Sequence, residues 1–481
     1  MPSVKEVNKT DKVILDDIYA ALISCYNECS ELVNNPYQNL CGLIFHELMI
    51  FYSSLNYAKM WKYDLNDSDH IFNNYPYLGY REHKNTSPGH INYASIKMKA
   101  YSSIKNIVNT NGLKVGVCHP SLNHRDLVQK LESEGFVPKF PSRPKIYLEN
   151  NSQQCEIINR RMAQIEINLE LPAKRRTFLS AMEASFKELS CAQQRSPKYD
   201  CLIIGTPGKF LTRIEAAVAL ANNKPVICIA HGNESGTADH PSWGYDDRSF
   251  CTHYLGYGRA GDVSINDGIY LHSLHGIEPK YIESNCEFIH ENYHPERKID
   301  SCLKEIAVGK FAYVPMKLMG SNRLGPFLSI SDEKYTKWQE WLFELFPNIF
   351  YKAHPKQIDE VSVGNDRVVY KPLEACIHDF DGFIIDTVLS TAFANLALTN
   401  KPIIYLNIGI GKLTPYAEKL IRQRVIWIDV KSWDGLDIQN KINEGMQEEK
   451  NYNYTEEFSL SKNNSSRIDR TLQILKTINK L

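Results

Sequence analysis

The chain has 481 residues, of which 43% are hydrophobic and 23% are charged, and its formal net charge is −1. This composition is typical of a globular protein with room for two or three domains, and the near-zero charge argues against a general nucleic-acid binder, which needs a basic surface. The 12 cysteines show neither a CxxC pair nor a regular spacing, which favours free thiols in a reducing cytosol over a disulfide framework or a zinc site.

The N-terminal part is predicted to be helical. Apolar residues recur at spacings of three and four in "VILDDIYAALISCYNECSELV" and in "LCGLIFHELMIFYSSLNYAKMW", as they do on one face of a helix. A loop rich in Asn, Pro and Tyr follows near residues 63–92. We predict a helical N-terminal extension over residues 1–112.

An α/β pattern begins at Leu113. The stretch "LKVGVCHPSLNHRDLVQKLESEGFVPKF" predicts a strand, a turn, a helix that ends at Gly135, and a second strand. Residues 151–195 are again predicted to be helical. Residues 199–232 then hold the apolar run "YDCLII", an alanine-rich helix and the strand "KPVICIA".

A second α/β series follows a less regular, Gly- and His-rich region between residues 240 and 310. The runs "KFAYVPM" and "NIFYKAHP" predict strands on either side of the amphipathic helix "DEKYTKWQEWLFELFP". A strand-helix-strand unit over 380–409 and the strand "VIWIDV" come next. The region 448–466 is predicted to be loop, and the helix "RIDRTLQILKTINKL" closes the chain.

The unit over 380–409 repeats the one over 199–232, because each has an apolar run, a small-residue turn, an alanine-rich helix, Asn-Lys-Pro and a second apolar run. Asn223 and Asn400 are expected to end their helices in a left-handed conformation. The repeat predicts an α/β fold of two Rossmann-like domains, over 113–300 and 301–481. Ligands of parallel sheets bind beyond the carboxyl ends of the strands, so both turns are expected to face one cleft.

Polar residues cluster at these predicted strand ends. His231 and Glu234 follow the last strand of the first copy. The turn of the second copy carries Asp386, Thr387, Ser390 and Thr391, where one such residue would suffice as a helix cap. Hydroxyls beside the free N–H groups of a helix start favour a phosphate. Lys352 and His354 end another strand of the same series, and a histidine can donate to phosphate or act as an acid.

These motifs carry a resemblance to a known family. The stretches "AHGN" (230–233), "YKAHP" (351–355) and "DTVLSTAFANLALTNKPII" (386–404) resemble the GT-B glycosyltransferases of bacterial surface polysaccharides. They are similar to the branch that contains capsule-type Kdo and sialic acid transferases and the teichoic polyol-phosphate polymerases. The resemblance covers about residues 113 to 430. The Ser-Thr pair lies further from Asp386 than that pattern leads us to expect, and the N-terminal helices are not part of the common core.

The resemblance implies a GT-B fold in which the N-terminal Rossmann-like domain binds the acceptor and the C-terminal one binds the nucleotide-sugar donor. It implies a donor phosphate held by residues of the second domain, namely Lys352, His354, Asp386, Thr387, Ser390 and Thr391, with Ser321 and Arg323 as further candidates. Donors in this branch are often cytidine nucleotides, which implies transfer of a CMP-activated acidic sugar, of Kdo or nonulosonic acid type. The acceptor would be a bacterial surface polysaccharide or lipopolysaccharide.

Chemistry adds two expectations. A nucleoside monophosphate needs less charge neutralisation than a diphosphate, which suits a metal-independent site without a cofactor. Inversion needs a base for the acceptor hydroxyl, and the candidates are His231, Glu234 and Asp239, with His354 as a further catalytic residue. The sequence does not decide whether the configuration at the anomeric carbon is inverted or retained.

Three other functions fit the same pattern. They are a polyol-phosphate transferase with a CDP-linked donor, a nucleotide-sugar 2-epimerase, and a catalytically silent glycan-binding module of an assembly complex. The expected partners are a nucleotide sugar and a glycan or lipid-linked glycan, and not nucleic acid. The first residues lack the apolar core of a signal peptide, so we expect a cytoplasmic protein, with attachment to the inner face of the membrane left open.

Overall fold

The computed structural model of the protein describes residues 4–60, 112–118, 124–141, 144–192, 196–232, 234–286, 309–316, 332–354, 365–430, 434–462 and 465–480. The predicted loop near residues 63–92 and the candidate residues Ser321 and Arg323 lie outside these stretches.

The first sheet has six parallel strands in the order β2-β1-β3-β4-β5-β6. Its strands are β1 (Lys114–Cys118), β2 (Val137–Lys139), β3 (Cys201–Ile204), β4 (Val226–Ile229), β5 (His253–Tyr257) and β6 (Lys280–Ser284). Every residue of β3 and β4 is apolar and buried. Parallel strands that are covered by helices on both faces have this continuous apolar pattern.

Helices surround the first sheet. They are α1 (Val4–Ser30), α2 (Leu40–Leu43), α3 (Phe45–Met60), α4 (His124–Ser133), α5 (Asn151–Asn168), α6 (Arg175–Leu189), α7 (Phe210–Ala221) and α8 (Pro241–Ser249). The helix α4 buries Leu127, Val128 and Leu131, which share one face at helical spacing. The chain leaves α4 through Gly135 at φ +85° and enters β2, as the sequence predicts.

The N-terminal helices share the core of the first domain. Leu22 of α1 and Leu48 of α3 lie in one buried apolar cluster with Phe178 of α6. A buried ion pair joins Arg213 of α7 to Glu47 of α3. The predicted extension is therefore, over its described residues, a helical layer of this domain.

The second sheet also has six parallel strands, in the order β12-β11-β10-β7-β8-β9. They are β7 (Phe311–Val314), β8 (Phe350–Lys352), β9 (Val368–Val369), β10 (Gly382–Ile385), β11 (Ile403–Asn407) and β12 (Ile426–Asp429). Its helices are α9 (Asp332–Leu345), α10 (Leu373–Cys376), α11 (Thr391–Ala397), α12 (Pro415–Arg424), α13 (Gly435–Gly445) and α14 (Asn453–Phe458). Counted from β7, the strand order is that of the Rossmann fold, and the order reverses between β7 and β10.

The last helix, α15 (Arg467–Ile478), returns to the first domain. Its residues Leu472 and Leu475 pack with Val117 and Ile227 of the first sheet, and the Arg467 guanidinium donates to the Ala230 carbonyl at 2.8 Å. The predicted division at residue 301 thus places in the second domain a helix that packs on the first.

The structure confirms the predicted fold class, which is α/β with two parallel, Rossmann-like sheets in the GT-B arrangement. The repeat is confirmed as well, because β3-α7-β4 and β10-α11-β11 are its two copies. Among the helices of the described residues, none is long and apolar enough to cross a membrane.

The prediction for the two Asn-Lys-Pro turns is half right. Asn223 has φ +57° and ends α7 in the left-handed region, whereas Asn400 is not among the described residues with positive φ. The carbonyls at and after the end of α11 have side-chain donors instead. The Thr399 hydroxyl donates to Leu396 O, the Thr455 hydroxyl donates to Ala397 O, and the Arg424 guanidinium is the largest contributor. It donates to Leu396 O, Ala397 O, Thr399 O and Lys401 O at 2.7–3.3 Å. With these carbonyls satisfied, the helix end needs no left-handed residue.

Candidate functional site

The carboxyl edges of the two sheets face each other. The loop after β4 pairs with the loop after β11 through an antiparallel bridge between Ala238 and Leu413. The Thr414 N–H donates to Thr237 O at 3.0 Å, and the Thr414 hydroxyl donates to Gly236 O at 2.7 Å. Ligand sites of parallel sheets lie at this edge, so any ligand shared by the two domains would bind here.

The turn after β10 lies against the same loop. Gly411 has φ +79°, and a Cβ at this position would come within 2.7 Å of the Leu389 side chain. The turn 386–391, the loop 407–414 and the loop 231–239 therefore meet at one place between the domains. We call this place the interdomain junction.

Ser390 and Thr391 lie at the start of α11 on the junction side of the sheet. The Ser390 hydroxyl accepts the Phe393 N–H at 3.2 Å as an N-cap, and both residues are half-buried. Thr387 is 3% exposed, and its hydroxyl accepts the Leu389 N–H at 3.2 Å. The turn thus offers a ligand two hydroxyl-bearing side chains in a fixed backbone conformation.

Lys352 and His354 lie at the end of β8, which β7 separates from β10. Two strand spacings correspond to about 10 Å, so the two turns flank the position where the chain leaves β7. The Lys352 side chain is buried, its ammonium donates to Ala353 O at 2.7 Å, and burial lowers its pKa. His354 is half-buried.

Asp386 has a different environment from the one that the sequence suggested. The residue is 0% exposed. Its carboxylate accepts hydrogen bonds from the Tyr335 hydroxyl at 3.1 Å, from the Trp338 indole at 3.2 Å and from the Tyr313 hydroxyl. Burial raises its pKa to about 6, against the opposing effect of these hydrogen bonds. The carboxylate lies beneath the surface of the site, and its predicted part in donor binding stays a prediction.

The candidates on the first domain fall in the loop after β4. His231 is exposed directly beyond the strand, and Glu234 opens a short helical turn, with its side chain outside the described residues. Asp239 is 2% exposed; it forms an ion pair with Lys412 and accepts the Tyr270 N–H at 3.1 Å. Asp239 therefore holds the two domains together, and His231 is the candidate base that faces solvent.

Sequence reasoning missed the residues of the loop after β11. Lys412, Leu413 and Thr414 supply its contacts to the first domain. The preceding "NIGIG" is the available signal, because two glycines after an apolar strand are typical of a loop with unusual backbone angles. No three His, Cys, Asp or Glu side chains of the described residues cluster to hold a metal ion, and a metal-independent donor site stays a prediction.

The comparisons with known proteins concern the fold. No family model matches the sequence, and no curated protein matches it. Among solved structures, the UDP-GlcNAc 2-epimerase from Neisseria meningitidis bound to UDP-GlcNAc is 13% identical, with 77% of this chain and 99% of that chain covered and a TM-score of 0.35. LpCGTa in complex with UDP is 10% identical, with 77% and 100% covered and a TM-score of 0.35.

The spinosyn rhamnosyltransferase SpnG complexed with spinosyn aglycone is 12% identical, with 76% of this chain and 96% of that chain covered and a TM-score of 0.30. Identities this low concern the fold alone. The fold of this protein is established by its own strand order and by the contacts between its sheets.

Proposed function

We propose that this protein is a glycosyltransferase that uses a nucleotide-sugar donor, bound at the interdomain junction. The observation that carries the proposal is the meeting of the turn 386–391 with loops from both domains at the facing carboxyl edges. The strand order of the second sheet reverses between β7 and β10, which is where sheets of this kind bind nucleotides.

The donor phosphate is assigned to the second domain. Ser390 and Thr391 supply hydroxyls on one side of the end of β7, and His354 supplies an imidazole on the other. Because Lys352 is buried, it contributes a positive electrostatic potential at the phosphate rather than a direct contact with it. This set of groups suits a single phosphate, which supports a CMP-linked donor over a diphosphate donor.

The finer assignment follows from the resemblance. We propose a CMP-activated acidic sugar of Kdo or nonulosonic acid type, and an acceptor that is a bacterial surface polysaccharide or lipopolysaccharide. In the inverting form of the reaction, His231 takes the proton of the acceptor hydroxyl. The acceptor oxygen then bonds to the anomeric carbon, and CMP leaves with the electron pair of the cleaved bond.

Thermal-shift measurements with CMP, CDP and UDP test this proposal. We expect CMP to raise the melting temperature more than UDP does, and Ser390→Ala to weaken CMP binding about tenfold or more, because a hydrogen bond to a charged phosphate is lost. Ser466→Ala is the matched control, since Ser466 is an N-cap whose hydroxyl also accepts the amide three residues on, at α15. Both substitutions should cost about 1 kcal/mol of stability, but only Ser390→Ala should change CMP binding.

The outcomes separate the alternatives. A response to CDP above that to CMP would favour the polyol-phosphate transferase, and a response to UDP alone would favour the epimerase or a UDP-sugar transferase. A melting temperature that no nucleotide changes would favour the glycan-binding module. Equal CMP affinities for the two serine variants would mean that Ser390 acts only as a helix cap, which would contradict its assignment to donor binding.

A further inference from the structure

Asp386 and the three side chains around it form one buried hydrogen-bonded network. Tyr313, Tyr335, Trp338 and Asp386 are each at most 1% exposed. Both tyrosines and the indole donate to the carboxylate, and no Lys or Arg of the described residues pairs with it. Three donors to one buried carboxylate exceed what a helix cap or a turn requires.

The carboxylate sets the direction of the hydrogen bonds. An ionised carboxylate only accepts. The Tyr335 hydroxyl lies 3.1 Å from the Asp386 carboxylate and 3.4 Å from the Tyr313 hydroxyl, so its one hydrogen goes to the nearer and charged acceptor, Asp386. The lone pairs of that oxygen are then available to the backbone, and the Met316 N–H donates to it at 2.9 Å. Burial keeps the pKa of both tyrosines well above the ordinary value, so both stay protonated donors.

Met316 lies at the centre of the proposed donor site. It follows β7 (Phe311–Val314) by two residues, and β7 lies between β10 and β8 in the sheet. The backbone held by Tyr335 therefore leaves the sheet between the turn 386–391 and the turn 352–354. A nucleotide phosphate held by both turns would lie next to this backbone.

We propose that Asp386 is a positioning residue, which fixes the backbone amide of Met316 through Tyr335 and so shapes the floor of the nucleotide site. The part that concerns the nucleotide rests on the proposed function, and the part that concerns Met316 does not. Asp386 acts from beneath the site rather than by touching the donor.

Asp386→Asn tests the direction of the bonds with an isosteric side chain. The Trp338 indole can only donate, so the Asn oxygen must face Trp338 and its NH₂ group must face Tyr335. The Tyr335 hydroxyl then faces the Asn NH₂ group, a donor, where it had faced a carboxylate oxygen, an acceptor. The NH₂ group competes with the Met316 N–H for the lone pairs of the hydroxyl, so the bond from Met316 is weakened. Tyr335→Phe removes that bond outright. Tyr313→Phe is the matched control, because the Tyr313 hydroxyl bonds Asp386 and lies 3.4 Å from the Tyr335 hydroxyl but does not bond Met316.

Two measurements are made on the full chain. Hydrogen exchange of a peptide spanning 311–316 should show the Met316 amide exchanging about tenfold faster in Asp386→Asn and Tyr335→Phe, and within twofold of the wild type in Tyr313→Phe. The dissociation constant for CMP should rise about tenfold in the first two variants and stay within twofold in the third. The double variant Asp386→Asn/Tyr335→Phe should show the same exchange rate and the same dissociation constant as Tyr335→Phe alone, because Asp386 acts on Met316 through Tyr335.

Unchanged exchange at Met316 in a folded Asp386→Asn variant overturns the positioning role. If that variant does not fold, the contrast between Tyr335→Phe and Tyr313→Phe decides in its place, and equal exchange in the two overturns the proposal. A wild-type protein that binds no nucleotide contradicts the proposed function, while the exchange data still decide the role of Asp386.

Discussion

At the scale of the residue, Asp386 links the pH of the solution to the stability of the fold. The groups that face it are Tyr313 of β7, Tyr335 and Trp338 of α9, and Tyr405 of β11. None of these carries a positive charge, so burial dominates and raises the pKa of the carboxyl to about 6. An unfolded Asp has a pKa of about 4.

The sign of the pH effect follows from these two pKa values. Between pH 4 and pH 6 the folded state keeps a proton that the unfolded state loses, so the contribution of Asp386 to stability is complete below pH 4 and falls as the pH rises through 6. The free energy of unfolding of the wild type, less that of Asp386→Asn, should fall by about 2–3 kcal/mol from pH 4 to pH 7. Urea titrations of both proteins across this range measure it, and a difference that is flat or rises with pH would contradict the assigned pKa.

The candidate residues of the site can be named from the sequence where a local rule applies. Ser390 and Thr391 stand out because a short turn holds more hydroxyls than a cap needs. Lys412 and Asp239 could not be paired from the sequence, since the ion pair joins loops of two different domains. Asp386 was found, but its burial depends on Tyr335 and Trp338, which come from a helix earlier in the chain.

At the scale of the element, periodicity predicted the strands with continuous apolar runs and the helices with an apolar face. It missed β5 and β6, where "HYLGY" and "KYIES" mix polar with apolar residues. Neighbouring elements bury all of β5 but His253, and β6 is an edge strand in which only Ser284 is buried. Such tertiary contacts are invisible to a local pattern. It also missed α14, "NYTEEF", which buries Tyr454, Thr455 and Phe458 although the surrounding stretch is polar.

The end of α11 offers a test at the same scale. Arg424 is 0% exposed and donates to the Leu396, Ala397, Thr399 and Lys401 carbonyls. Leu396 O and Ala397 O also accept from Thr399 and Thr455, so the loss of Arg424 is felt most at Thr399 O and Lys401 O and at the buried volume of the side chain. Arg424→Met should lower the free energy of unfolding by about 3 kcal/mol or more, because each unsatisfied buried acceptor costs about 1–3 kcal/mol. Denaturant titration measures the effect.

Arg422→Met is the control on the same helix. Arg422 is 43% exposed and pairs with Glu418 at the surface, where an ion pair contributes at most about 1 kcal/mol. Equal losses for the two variants would mean that the carbonyls at the end of α11 find other partners.

At the scale of the whole molecule, the two domains are joined by several contacts between residues that lie far apart in the chain. Asp239 pairs with Lys412 at the junction, Arg259 pairs with Glu457 beside it, and α15 packs on the first sheet. These contacts hold the turn 386–391 opposite the loop after β4. The same arrangement places the candidate base, His231, on the domain that faces the proposed donor site.

A crystal structure of the protein soaked with CMP tests the central claim most directly. We predict that the phosphate binds within hydrogen-bonding distance of Ser390 or Thr391 and on the His354 side of the end of β7, with the 5′-phosphate directed into the junction. CMP bound to the first sheet, or away from the space between the two carboxyl edges, would contradict the account.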